Sequence, residues 1–146
     1  MHEPGEISEW LVVIGLAVSV LVSSPVVGGA FEIEGVTFAD TFHAGPLPMP
    51  LQGVGVAKFL RTIKVYVGAL YLAPGTKPER VLDDVPKRLE LSYFRAIQAG
   101  DFGRAAMKVL ADNVSPATIA RLKPRIEQLH RLYQDVKPGD RYGLTY

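Results

Sequence analysis

Four residues of this 146-residue chain have types and spacing that could do chemistry together: Lys58, Arg61, Lys64 and Tyr66. They lie just before and inside an apolar run, so three cations and a phenol converge on one stretch of backbone. By strand parity Lys64 and Tyr66 share a face with Gly68. A position without a side chain, beside a phenol, leaves room for a ligand. Such a place suits a small molecule with an anionic head and an apolar tail. Charge-assisted hydrogen bonds would hold the head, and buried apolar surface would hold the rest. The plainer alternative is a strand edge with solvated Lys and Arg and a core Tyr.

Other chemistries find little support. The histidines are His2, His43 and His130, with no HExxH and no paired-ligand spacing, so no metal is expected. There is no cysteine, which excludes a disulfide framework, a thiolate zinc site and a cysteine nucleophile. No GxSxG is present, and His130 reads as a solvated residue on the polar side of a helix. Gly53-Val54-Gly55 lacks the third glycine and the following helix of a dinucleotide loop. It reads instead as a tight turn or bulge between strands. No cofactor is expected. The formal net charge of +1 gives no argument for a nucleic-acid partner.

The elements that must position these residues follow from periodicity. Phe31–Phe38 reads as strand, turn and strand, and His43–Pro50, with three prolines, as irregular loop. Leu51–Leu72 is the longest β-like stretch. Ile63, Val65, Val67, Ala69 and Tyr71 fall on one face, and both faces are substantially apolar, which predicts a central strand covered on both sides. Pro74-Gly75 ends it. A connector with one helical turn at 78–82 leads to a strand over 88–97. Asp101 is the expected N-cap of a helix carrying Phe102, Ala105, Ala106, Val109 and Leu110 and ending near Asn113. Ser115-Pro116 starts a second helix, which Pro124 should kink or split. Lys137–Asp140 is a turn and Arg141–Tyr146 a strand. Strands, then helices, then a strand predict an α+β fold with a mostly antiparallel sheet.

The mean hydropathy of +0.16 has a local source. No charge occurs between Trp10 and Phe31, and Leu11–Val22 is almost purely apolar. That core is short for a bilayer span. Gly28 and Ala30 suit signal-peptidase cleavage before Phe31, although the first ten residues hold Glu3, Glu6 and Glu9 and no Lys or Arg. An export signal over residues 1–30, a membrane anchor over residues 10–31 and a buried helix are the three readings. The first makes the protein exported and periplasmic. Without those three glutamates the remainder, residues 31–146, keeps 16 basic residues against 12 acidic ones, so contact with an anionic membrane surface is conceivable.

Leu51-Gln52-Gly53-Val54-Gly55-Val56, followed by Lys64-Val65-Tyr66-Val67-Gly68-Ala69-Leu70-Tyr71-Leu72, resembles the signature of the chalcone isomerase-like family. Phe31–Val36, Pro86–Leu91 and Gly139-Asp140 add to the resemblance, which covers 31–146. It implies an open-faced β-sandwich, a large mostly antiparallel sheet under a layer of helices with a ligand cleft between them. It also implies closing strands beyond Tyr146, so that residues 31–146 would be a partial domain.

Two activities come with the resemblance. Plant enzymes of the family cyclise chalcones to flavanones, an intramolecular lyase reaction. Related proteins without that activity bind fatty acids. The enzyme's groups carry over badly. Ala57 stands where its arginine follows the GxG, and Tyr66 where its strand threonine lies. Ala106 and Val109 take the places of a helix tyrosine and lysine, and only Asn113 keeps its asparagine. Ala and Val cannot place donors at a developing oxyanion. In the fatty-acid binders an arginine near the GxG and a tyrosine on the long strand clamp a carboxylate. Tyr66 matches that tyrosine, and Lys58 or Arg61 would have to serve for the arginine, giving at most a point charge from Lys in place of a bidentate fork. The expected ligand site is therefore Lys58, Arg61, Tyr66 and Asn113. The expected function is non-catalytic binding of a fatty acid or other small amphipathic ligand. An intramolecular lyase acting on a chalcone-like phenol, and a structural module without ligand, are the alternatives.

Overall fold

The computed structural model describes residues 29–146. The export and anchor readings rest on the apolar run Leu11–Val22, which lies outside the described residues. Two short strands, β1 (Ala30–Ile33) and β2 (Val36–Ala39), form a hairpin. Five more build an antiparallel sheet in sequence order: β3 (Thr41–Ala44), β4 (Leu47–Phe59), β5 (Ile63–Leu72), β6 (Lys87–Tyr93) and β7 (Arg141–Thr145). Between β6 and β7 run the helices α1 (Ala99–Asn113) and α2 (Pro116–His130). The fold is α+β, as the residue pattern predicted. The closing segment, Arg141–Thr145, finds its partner in β6.

β5 lies at the centre. From one of its faces Val67, Ala69 and Tyr71, each 1% exposed or less, pack with Phe38 and Met49 under the β1–β2 hairpin. Its other face carries Tyr66, Gly68 and Leu70, beside Ala57, Gly55 and Gly53 of β4 and Tyr93, Leu91 and Leu89 of β6. The helices cover only the Tyr93 end of this second face. Phe102 of α1 meets the rings of Tyr93 and Tyr142 at centroid distances of 5.7 Å and 5.3 Å.

A semi-buried ionic group ties the hairpin down. Arg88 and Arg141 flank Glu90, at 3.4 Å and 2.7 Å, and Arg141 also donates to the Thr37 carbonyl at 2.9 Å. The Arg141 guanidinium stands 5.0 Å from the Phe38 ring and that of Arg88 4.0 Å from Phe42. The Tyr71 hydroxyl donates to the Ala39 carbonyl at 3.0 Å. Burial, with the Glu90 charge in support, pushes the Tyr71 phenol up to about 12, and burial also raises Tyr66 and Tyr93. A phenol whose folded pKa exceeds its unfolded value contributes stability below pH 10 that is lost as pH rises through the folded value. Thermal melts should therefore hold their Tm up to about pH 10 and lose it steeply toward pH 12. Tyr71→Phe should flatten that fall. A Tm that stays level across this window would contradict the burial of these phenols.

Several local expectations change. His43–Pro50 is not loop: β3 and the start of β4 pair across it, with His43 opposite Pro48 and Thr41 opposite Pro50. Leu51 N donates to Asp40 O at 2.7 Å, so odd-numbered residues here bond toward β3 and the prolines turn their missing N–H outward. β5 does not pair with β4 before Leu51, so no bond is lost. Gly53 and Gly55 stand inside β4, not in a turn, although a bulge at Gln52 shifts the register just ahead of them. The strand expected over 88–97 ends at Tyr93.

Asp101 is not a cap. Helix α1 begins at Ala99, whose N–H is held by Asp135 Oδ1 at 2.8 Å, a partner 36 residues away. Asp101 is buried in the first turn and paired with Arg104. Helix α2 starts as expected, with Ser115 Oγ accepting from Thr118 N at 3.2 Å. Pro124 does not split it. The carbonyl it leaves unbonded belongs to Ala120, which is exposed to water.

The turn between β4 and β5 is unusual in composition. Thr62 N bonds Phe59 O at 3.2 Å, and both central residues have positive φ, 48° for Leu60 and 63° for Arg61. Asn and Gly are the residues that normally fill such positions. Leu and Arg there cost about 1–2 kcal/mol each.

Candidate functional site

The uncovered part of the second face is a groove of about 670 Å3. Its floor is Gly53, Gly55 and Ala57 of β4, Tyr66, Gly68 and Leu70 of β5, and Leu89 and Leu91 of β6. Leu144 of β7 and Val81 and Leu82 of the β5–β6 connector rise beside it. Most of these side chains are aliphatic or absent. The size lies in the range of small-molecule sites. From Tyr66 to the far end at Lys87, opposite Leu72, is six residues of β5, about 20 Å.

Glycines make the depth. A Cβ at Gly55 would meet nothing within 4 Å, so that position opens directly into the groove. A Cβ at Gly68 would stand 3.1 Å from Leu91 Cδ2, which shows how closely β5 and β6 pack there. Neither glycine has positive φ. What these positions use is the missing side chain, not conformational freedom.

The two ends differ. At one end lies Tyr66, its ring 5.9 Å from that of Tyr93 and its phenol pushed up by burial. Among the described residues its hydroxyl has no hydrogen-bond partner. At the other end Lys87 Nζ donates to the carbonyls of Val81 and Asp83 at 2.8 Å and 2.7 Å and sits 5.1 Å from the Tyr146 ring. Tyr146 in turn donates to Asp84 Oδ1 at 2.5 Å. These bonds tie the connector that carries Val81 and Leu82 to the last residues of the chain.

Of the four residues expected at the site, only Tyr66 lines the groove. Lys58 and Arg61 are exposed at the β4–β5 tip. Asn113 is exposed at the end of α1, where its Nδ2 donates to Val109 O at 2.7 Å. It lies eleven residues, about 16 Å of helix, from Phe102, the point where α1 meets the sheet. Lys64 does not share a face with Tyr66. Ala57 pairs with Tyr66 but Lys58 pairs with Lys64, so Val65 is an extra residue that reverses the alternation. Lys64 accordingly turns to the other side of the sheet and pairs with Glu34. That contact and the nearby Lys58 hold the Glu34 carboxyl below the usual range.

Parity along one strand does not reveal Lys87 and Tyr146, which reach the groove because β6 pairs with β5 and β7 pairs with β6. His130 was also misplaced. Its Nε2 is buried without a partner, its ring lies 5.8 Å from Tyr133, and a Cβ at Gly103 would stand 3.2 Å from its Nδ1. The ring packs between the two helices with Nε2 shielded from water, while the residue as a whole is half-buried. Among the described residues no group of side chains could hold a metal ion, and no helix is long and apolar enough to cross a membrane.

An antiparallel sheet, capped on one face by a hairpin and half covered on the other by two helices, defines an open-faced α+β sandwich with an apolar groove. The family profile described as chalcone isomerase-like matches residues 30–146. The chain belongs to the chalcone isomerase-like family. No curated protein matches it.

Proposed function

We propose that this chain binds a fatty acid or another small amphipathic molecule along the groove and performs no catalysis. The observation that carries the reading is the pairing of an aliphatic, glycine-floored groove with the unpartnered Tyr66 hydroxyl at one end. The phenol donates to the head group and stays neutral at physiological pH, because burial raises it further above its ordinary value. The tail runs over Gly55, Gly68 and Leu91 toward Leu70 and Leu89. Lys58 and Arg61 attract the acid to this end from the hairpin tip without touching it. Lys87 stands about 20 Å away along the strand and closes the far end. Among the described residues no groove-lining side chain other than Tyr66 offers a donor near the head, which supports binding over ketone polarisation.

Titration calorimetry with dodecanoic acid tests this. Tyr66→Phe should weaken binding about tenfold, the value of one hydrogen bond to a charged group. Lys87→Met should cost less. A larger loss for Lys87→Met would reverse the orientation of the ligand, and no binding by the parent protein would reject the reading. Accelerated decay of naringenin chalcone by the protein would favour the lyase alternative.

A further inference from the structure

The tip of the β4–β5 hairpin combines three features that the groove does not explain. Leu60 is 67% exposed. It and Arg61 occupy left-handed positions that Asn-Gly would fill without strain. Basic residues lie close along the chain: Lys58 and Arg61 are exposed, and Arg95 donates its Nε–H to the Lys64 carbonyl at 3.3 Å. With Lys64 that makes four cations. The opposing carboxylate is Glu34, already paired with Lys64, and Glu32 is two residues further back along β1. An exposed leucine held out at backbone cost at a hairpin tip that also carries exposed cations has the chemistry of an interfacial anchor. The leucine enters the acyl boundary while the cations meet anionic headgroups.

We propose that this hairpin tip docks on an anionic bilayer surface, with Leu60 inserted and Lys58, Arg61 and Arg95 on the headgroups. This docking requires no property of the groove. It does place the Tyr66 end of the groove toward the bilayer, because Ala57 and Tyr66 are two and three residues from Phe59 and Ile63, where the hairpin turns.

Since the chain has no cysteine, one label can report the tip alone. Thr62→Cys in the full chain, carrying an environment-sensitive fluorophore, should shift its emission to the blue on phosphatidylglycerol vesicles. It should not shift on phosphatidylcholine vesicles, and added salt should reverse the effect. The same label at Asp83→Cys, on the β5–β6 connector near the far end of the groove, should not respond. Whatever Leu11–Val22 does in the vesicles, the comparison of the two labels reads the hairpin. Lys58→Ser with Arg61→Ser should weaken vesicle binding at the tip about twenty-five-fold, fivefold per charge. Leu60→Asn should weaken it about tenfold by removing the buried side chain, in a protein that folds at least as well because the turn strain is relieved. No shift on phosphatidylglycerol, an equal shift on phosphatidylcholine, or an equal shift at residue 83 would each overturn the proposal.

Discussion

Gly55→Leu should abolish ligand binding while the protein stays folded. The backbone at Gly55 is ordinary strand, and a Cβ there meets nothing within 4 Å. The leucine side chain therefore projects into the groove over Gly68, its partner across the β4–β5 ladder. It occupies the volume of about four methylenes of the ligand, worth about 3 kcal/mol of burial, so affinity should fall more than a hundredfold. Leucine suits a strand better than glycine, so the Tm should hold or rise. Gly68→Leu is a poorer probe, because its Cβ already presses on Leu91 Cδ2. Calorimetry with dodecanoic acid and a thermal melt on the same sample separate the outcomes. Undiminished affinity in a folded Gly55→Leu variant would remove the groove as the site.

Phe38→Ala should be the most destabilising single truncation, at about 3–4 kcal/mol. Phe38 is 1% exposed and sits among Met49, Val67, Ala69 and Tyr71. It fastens the β1–β2 hairpin to the main sheet, and the Arg141 guanidinium above it links that hairpin to β7. Its loss opens a cavity where the hairpin can relax only by moving away. A domain of this size has about 5–15 kcal/mol in total, so the variant should unfold at far lower urea. Leu89→Ala is the contrast: Leu89 is 40% exposed on the groove face and its truncation should cost under about 1 kcal/mol. Equal urea midpoints for the two variants would mean that the hairpin face is not the core.

Both effects trace to one division of the sheet, and the sequence showed part of it. The alternation of Tyr66–Leu72 was legible because the period of two runs unbroken there, and both faces carry apolar residues. The helix starting at Pro116 was legible because Ser115-Pro116 is a local signal, complete within four residues. The family was legible in the run from Leu51 to Leu72, where side-chain type and spacing together are specific. Tyr66 and Gly68 were legible as neighbours on one face by the same alternation.

The rest depended on contacts between distant residues. A single extra residue at Val65 sends Lys64 to the opposite side from Tyr66, and another at Gln52 does the same between Leu51 and Gly53. Parity arguments fail at such points because the period of two has no memory across an inserted residue. The cap of α1 comes from Asp135, 36 residues away, so no local capping signal exists to be read. Lys87 and Tyr146 meet at one end of the groove only because β6 pairs with both β5 and β7, and the His130 ring tucks against α1 only because Gly103 carries no side chain there. Sequence by itself determined the central and closing strands, the two helices, the family and the phenol beside Gly68, but not the pairing across His43–Pro50. The tertiary structure decided which face each side chain takes, and with it which cations reach the groove, because those depend on register and long-range pairing that no window of the chain contains.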